Sequence, residues 1–181
     1  EQGGMIEAAA KGSAVVRHHL VRVDHDWQLN WISGEHSHQY HAGGPNALVD
    51  GIIGGPNFKT GEWQGFFGQD VVAELDLGEV KRVNRQSLGA LRDVRPWIML
   101  PKEVRFLSSL DGQNWTLIDA LGHTASAEDE SVLVLRFETQ RATEARYLRL
   151  EVDGFGELPS THLGAGNPSW LFVDEWEVET R

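Results

Sequence analysis

Hydrophobic and polar positions alternate along most of this chain, and the alternation predicts strands. Over residues 71–77, Val71, Ala73, Leu75 and Leu77 fall on one face while Val72, Glu74 and Asp76 fall on the other. That is the period-2 pattern of a strand with one wet side. Gly78 closes it, and residues 83–91 predict the next strand, ending in a loop with Arg92, Asp93, Arg95, Pro96 and Trp97. Val104, Phe106 and Ser108 then alternate with Glu103, Arg105 and Leu107 up to Asp111-Gly112, a turn pair that returns the chain into a strand over 115–118. Residues 132–137, 146–152 and 170–178 predict three more strands. Upstream, Val15, Val16, Leu20, Val21 and Val23 are mostly β-branched. Trp27, Leu29, Trp31 and Ile32 follow in near alternation until Ser33-Gly34 breaks the pattern.

Between these runs lie loop signals: Ala42-Gly43-Gly44-Pro45-Asn46, the polar stretch 122–130, and the Gly/Pro-rich stretch 153–169, whose length suits a functional loop. Residues 1–12 carry little pattern and read as a linker or tail, with a turn over 6–10 as the one helix candidate; residues 13–181 then form a single domain. Short strands at regular spacing predict an all-β sandwich with its working loops at one end. The stretch 47–78 organises it, bringing in order the acidic turn Asp50-Gly51, an aromatic-rich loop with Phe58, Trp63, Phe66 and Phe67, and the alternating strand.

Composition narrows the chemistry. The 181 residues hold 16 Lys plus Arg against 27 Asp plus Glu, a formal charge of −11 with no basic run, which argues against nucleic acid and anionic membranes as partners. With no Cys there is no disulfide frame, thiol nucleophile or thiolate zinc site. No apolar run approaches the roughly 18 residues of a membrane-spanning helix, and no signal peptide is visible. The chain starts at Glu1, which suggests a processed product or a piece of something longer. Seven Trp on an acidic β-domain raise the case for sugar stacking, although the same indoles suit a core.

Several segments resemble the discoidin, or coagulation factor 5/8 type C, superfamily, which includes the family 32 carbohydrate-binding modules. Ala47-Leu48-Val49-Asp50-Gly51 followed by Trp63 is similar to its A-x-x-D-G opening, and 73–78 to its first long strand. Ser109-Leu110-Asp111-Gly112 with Trp115 resembles its S-x-D-G-x-x-W hairpin, Ala145-Arg146-Tyr147-Leu148-Arg149 its A-R-Y-x-R strand, and 174–178 its closing strand. A narrower likeness, in Asn57-Phe58, 61–66, Trp97-Ile98, Leu100-Pro101, His162-x-Gly164-Ala165-Gly166 and Trp170-Leu171-Phe172, is to the C-terminal module of bacterial family 20 β-N-acetylhexosaminidases. The resemblance implies a jelly-roll, galactose-binding-domain-like β-sandwich. It implies a non-catalytic module of a secreted, periplasmic or cell-surface glycoside hydrolase, binding Gal, GalNAc or GlcNAc-type sugars. The alternative is a structural domain that packs on a catalytic domain of the same parent chain.

The same resemblance implies a structural Ca²⁺, a hard cation that takes about six to eight oxygens. Its ligands would be the side chains of Asp50 and Glu175 with carbonyls from Ala47, Ile52, Thr60 or Gly61, and Asp174; otherwise Asp50 merely caps an Asx-turn and Glu175 is a solvated strand residue. For sugar, a flat ring and forked hydrogen-bonding groups are needed, and Arg92, Asp93, Arg95 and Trp97 supply both within six residues. Arg92 is the nearest match to the ligand-contacting arginine of the superfamily. Asn57 and Phe58 lie at the edge of this expected site, and His162, Asn167 and Trp170 form a second wall. Trp97 and Trp170 also suit a core, and Arg92-Asp93 an ordinary surface pair. His36, His38 and His41 have no supporting carboxylate for a transition-metal site. Asp174-Glu175 matches the catalytic dipeptide of family 20 enzymes in letters only, since that chemistry needs a (β/α)₈ barrel of about 200 residues or more. No enzyme motif remains, and the chain by itself is expected not to be an enzyme.

Overall fold

The structure, a computed structural model, describes residues 4–8, 16–20 and 26–181. Its strands in chain order are β1 (Gly4–Ala8), β2 (Val16–Leu20), β3 (Gln28–Ser33), β4 (Ile52–Ile53), β5 (Gln64–Phe67), β6 (Val71–Arg92), β7 (Glu103–Ser109), β8 (Thr116–Leu121), β9 (Leu133–Thr139), β10 (Thr143–Asp153) and β11 (Trp170–Thr180). Two short 3₁₀ turns, Ala47–Val49 and Phe58–Thr60, are the helical pieces among the described residues. The fold is an all-β, jelly-roll-type sandwich, as the alternation predicts.

β6 is the spine of both layers. Its first half pairs with β3 on one side and β10 on the other, with Leu75 opposite both Leu29 and Leu148. Its second half pairs with β11 and β9, Leu88 facing Trp176 and Phe137. β10 continues outward to β7 and β8, and β11 to β5. All of these pairings are antiparallel, and the two layers close on one core that includes Leu75, Leu88, Phe106, Leu150, Val173 and Trp176. Each such aliphatic or aromatic side chain contributes about 1.5–3 kcal/mol by leaving water.

Gly78 does not end the strand as the sequence suggests. The ladder between β6 and β10 jumps from Asp76–Tyr147 to Lys81–Ala145, so the residues between Leu77 and Lys81 bulge out into solvent and pairing resumes beyond them. Gly78 sits at φ +81, a left-handed conformation that costs glycine little, and that makes the side-step possible. At the N-terminus, residues 4–8 are extended and pair with β2 where a helical turn was expected; β2 also pairs with β4 to give a small three-stranded sheet. The rest of the 1–12 segment lies outside the described residues, as do Val15, Val21 and Val23.

Candidate functional site

The loop after β6 is a tight reversal. The Asp93 and Ile98 backbones exchange N–H···O bonds of 3.0 Å, and the Trp97 N–H closes on the Val94 carbonyl at 3.0 Å. Trp97 is forced to φ +72, a region a bulky residue seldom adopts, and such strain is most common where a side chain must be aimed. Its carbonyl accepts from the Trp170 N–H at 2.8 Å, so the reversal is tied to the start of β11. The indole is half-buried against Leu158, and a Cβ on Gly164 would come within 2.8 Å of the ring, so the 153–169 loop lies directly on it.

His162 meets the Trp97 ring edge-on, with centroids 6.5 Å apart at 86°. Its Nδ1 accepts from the Gly164 N–H at 2.9 Å, leaving Nε2 to donate to the Val94 carbonyl at 3.0 Å. Both ring nitrogens are thereby used to fix the wall. Between this wall and residues 127–130 lies a cleft of about 690 Å³, lined by Trp97, His162, Arg95, Glu128, Glu130 and Thr161 among others. Arg95 is largely exposed and grips Glu130 through Nε and Nη2 at 3.1 and 2.9 Å. Leu163, fully exposed, stands at the lip. A half-buried ring flanked by a guanidinium, carboxylates and a hydroxyl has the chemistry to stack on a polyol ring and hydrogen-bond its rim.

The structure therefore brings Arg95, Trp97 and His162 together and moves the other expected contacts elsewhere. Arg92 is 2 % exposed and its guanidinium is directed at the 126–131 loop. It donates to the Ser126 carbonyl at 2.7 Å, the Ser131 carbonyl at 3.1 Å and Asp129 Oδ2 at 2.8 Å, so it braces the far wall and does not line the cleft. Asp93 contributes its backbone to the reversal and does not line the cleft. Trp170 belongs to an aromatic cluster with Tyr40, Phe67 and Phe172, its ring centroid 4.9 Å from that of Phe67, and takes no part in the wall. Asn57 caps the second 3₁₀ turn by accepting from the Lys59 N–H at 3.2 Å. Phe58 packs on Phe172 and Tyr40, away from Trp97. Asn167 donates to the Gly164 carbonyl at 2.9 Å and serves the loop. In the sequence, residues 126–131 read only as part of a polar loop; the Ser126…Asp129…Ser131 spacing opposite a buried arginine is the available signal.

At the other seam, Asp174 and Glu175 sit in a break of the β11 ladder, where the register with β6 shifts between Val173 and Trp176. Glu175 is 3 % exposed, so it is not a solvated strand residue; its Oε2 accepts from the Gly51 N–H at 2.8 Å. Burial, reinforced by Asp50 and Asp174, pushes its carboxyl up to about 9. Asp174 Oδ2 accepts from the Gly54 N–H at 2.7 Å and pairs with Arg136 at 3.0 Å; burial still lifts its carboxyl to about 6, and its Oδ1 has no partner. Asp50 Oδ1 accepts from the Ile52 N–H at 2.9 Å, the Asx-turn arrangement. Among the described residues no three His, Asp or Glu side chains converge on one point, those of His36, His38 and His41 included. Trp63 is core, 1 % exposed, with its indole N–H on the Gly55 carbonyl at 2.9 Å.

The family model of the F5/8 type C domain matches residues 18–168. The chain belongs to the F5/8 type C family. Among solved structures, this F5/8 type C domain is similar to a GH31 module, CBM32-2, bound to GalNAc, with a TM-score of 0.57 at 12 % identity over 88 % of this chain and 100 % of that one. It is also similar to a GH89 module, CBM32-6, produced by Clostridium perfringens (TM-score 0.48, 15 % identity, 86 % and 94 % covered). A third is chitosan-binding module 1 of a chitosanase/glucanase from Paenibacillus sp. IK-5 (TM-score 0.49, 18 % identity, 86 % and 96 % covered). No curated protein sequence matches. The domain has the fold of carbohydrate-binding modules, and among its described residues no helix is long and apolar enough to cross a membrane.

Proposed function

We propose that this domain is a non-catalytic carbohydrate-binding module that takes one terminal sugar of the Gal, GalNAc or GlcNAc type in the cleft between Trp97–His162 and residues 127–130. The observation that supports it most is the strained placement of Trp97, half-buried yet on the cleft wall, with Arg95, Glu130 and Thr161 around it. A neighbour of the same fold is described as bound to GalNAc, which agrees with this class of ligand. A shallow site buries little of a monosaccharide, so affinity is weak and the module acts by raising the local concentration of an attached enzyme at a glycan. The family 20-like segments make a secreted β-N-acetylhexosaminidase the parent we favour, with catalysis residing outside this chain.

A structural Ca²⁺ belongs to the same proposal. The exposed Asp50 carboxylate, beside the buried Glu175, raises the free energy of the ionised Glu175, which is the condition a divalent cation relieves. Asp174 Oδ2 is taken up by Arg136 and Gly54, and Asp174 would contribute its carbonyl, beside those of Ala47, Ile52, Thr60 or Gly61. The ion would supply fixed positive charge that pins the 50–61 loop.

Titration calorimetry of the intact chain with GalNAc, GlcNAc and galactose tests the sugar reading. The expected result is millimolar binding to at least one of them, lost in Trp97→Ala and weakened in Arg95→Ala. No heat with any of the three would sink it. The exposed Leu163 at the cleft lip favours the second reading, a surface that packs on a partner domain; Leu163→Ser would then alter assembly with that domain and leave sugar binding intact.

A further inference from the structure

We infer that a second groove, lined by Tyr40, Phe58 and Lys59, binds an acidic monosaccharide, a pyranose carrying one carboxylate. This goes beyond the neutral-sugar cleft proposed above and uses none of its residues. The groove has a volume of about 300 Å³ and is lined by Gln39, Tyr40, His41, Phe58, Lys59 and Trp63, with Ala42, Gly43 and Gly61 at its margin. That is enough for one sugar ring at the small end of ligand sites.

Its walls are preformed. Tyr40 and Phe58 meet edge-to-face, centroids 5.9 Å apart at 68°, and both rest on the core ring of Phe172. The Tyr40 backbone is bonded on both sides, to the Ser37 carbonyl and from the Gly65 N–H. The facing turn holds Ala42 at φ +46 and Gly43 at φ +89, and is anchored by buried Gln64, whose Nε2 donates to the Gly44 carbonyl at 2.9 Å. A collapsing surface pocket would lack such bracing.

The polar groups of this groove differ from those of the first cleft. There, Arg95 is held by Glu130 and His162 has both nitrogens engaged. Here, among the described residues, the side chains of Gln39 and His41, the Tyr40 hydroxyl and the Lys59 ammonium make no hydrogen bond or ion pair; Lys59 Nζ lies only against the Phe58 ring, 5.4 Å from its centroid. In a chain of net charge −11, where most described arginines are neutralised by carboxylates, an unpaired ammonium beside two aromatic faces is the local exception. Lys59 is the one Lys, Arg, Asp or Glu in the lining, and one point charge matches one carboxylate. A phosphate dianion would carry more charge than this single ammonium can balance. The amide, phenol and imidazole supply donors and acceptors for ring hydroxyls.

Amide-resolved NMR titration of the intact chain with D-galacturonate, and separately with D-galactose, tests this. Galacturonate should shift the amides of residues 40–43 and 58–61. Lys59→Gln should weaken it about tenfold, the size of one charge-assisted hydrogen bond at a partly wet site, while Lys59→Arg should stay within about twofold. Trp97→Ala should leave these shifts in place, which separates this site from the neutral-sugar cleft. The inference is overturned if galacturonate at tens of millimolar leaves those amides unmoved, shifts only residues around Trp97, or binds Lys59→Gln as well as the unaltered chain.

Discussion

Arg92 reaches Asp129 at 2.8 Å from the last position of β6, and through that pair the spine of the sandwich holds the outer wall of the sugar cleft. The arginine is buried and the aspartate half open to water, so the pair gains little from charge alone. What matters is the fork: the same guanidinium also binds the Ser126 and Ser131 carbonyls, closing the loop on itself. Arg92→Ala should therefore destabilise the fold by about 1–3 kcal/mol and raise amide exchange across 126–131, with sugar binding falling as a consequence. Arg92→Lys, lacking the fork, should rescue little. Denaturant unfolding with hydrogen exchange checks both; an unchanged loop would show that Asp129 and the serines hold it unaided.

Gly89 offers a second, sharper perturbation. It pairs with Arg136 across β9, so its backbone cannot retreat, and a Cβ built there would come within 2.0 Å of Asp174 Oδ1. Gly89→Ala should destabilise by about 2–4 kcal/mol through overpacking against a buried carboxylate. Gly55→Ala, with no heavy atom within 4 Å of the added carbon, should be within about 0.5 kcal/mol of neutral. Urea unfolding of the two variants tests the contrast.

These positions show how far the chain could be read without coordinates. The strand alternation was legible because one face of each strand is wet, as at Val71–Leu77, and the period-2 rule depends only on that. The bulge at Gly78 was not, because a glycine between two alternating runs marks a strand end and a side-step equally well. At the site, Trp97 and His162 were found as residues with suitable chemistry on two long loops. Arg92 and Trp170 turn away from the cleft for one reason: one sits at a strand end and the other at a strand start, where direction into the core or out to the loops depends on register, and register is set by partners distant in sequence. Residues 127–130 read only as a polar loop because a wall made of backbone and surface carboxylates carries no motif.

Asp111 governs the hairpin between β7 and β8. Its carboxylate accepts from the Gln113 and Asn114 N–H groups at 2.9 and 2.8 Å and from the Asn114 amide at 2.7 Å, which hold it well below the usual carboxylate range. A depressed carboxyl stabilises the fold at pH values above its ordinary value near 3.8, and that contribution is lost as pH falls. Asp111→Ala should lower the melting temperature at neutral pH and show a smaller difference from the unaltered chain at about pH 2. Thermal unfolding at the two pH values is the check; an equal difference at both would mean that the ionised state of Asp111 contributes nothing to the turn.

Glu175 has the opposite sign, and calcium should reverse it. Its folded carboxyl is raised from 4.5 to about 9, so between those values the folded chain binds more protons than the unfolded one. Stability from this group is then fully present below about pH 4.5 and is lost as pH rises toward 9; Asp174, raised from 3.8 to about 6, adds to the same trend over a lower window. In chelator, the melting temperature should fall between about pH 5 and pH 9. Calcium binds the ionised form, so its stabilisation should grow over the same range as the proton it competes with becomes scarcer. Glu175→Gln keeps the Gly51 N–H bonded through the amide oxygen, and should flatten the slope in chelator and abolish the calcium increment together. Differential scanning calorimetry with EDTA or with millimolar calcium measures both. A melting temperature that ignores calcium at every pH would remove the ion from the seam and leave Glu175 as a buried, protonated acid held by Gly51.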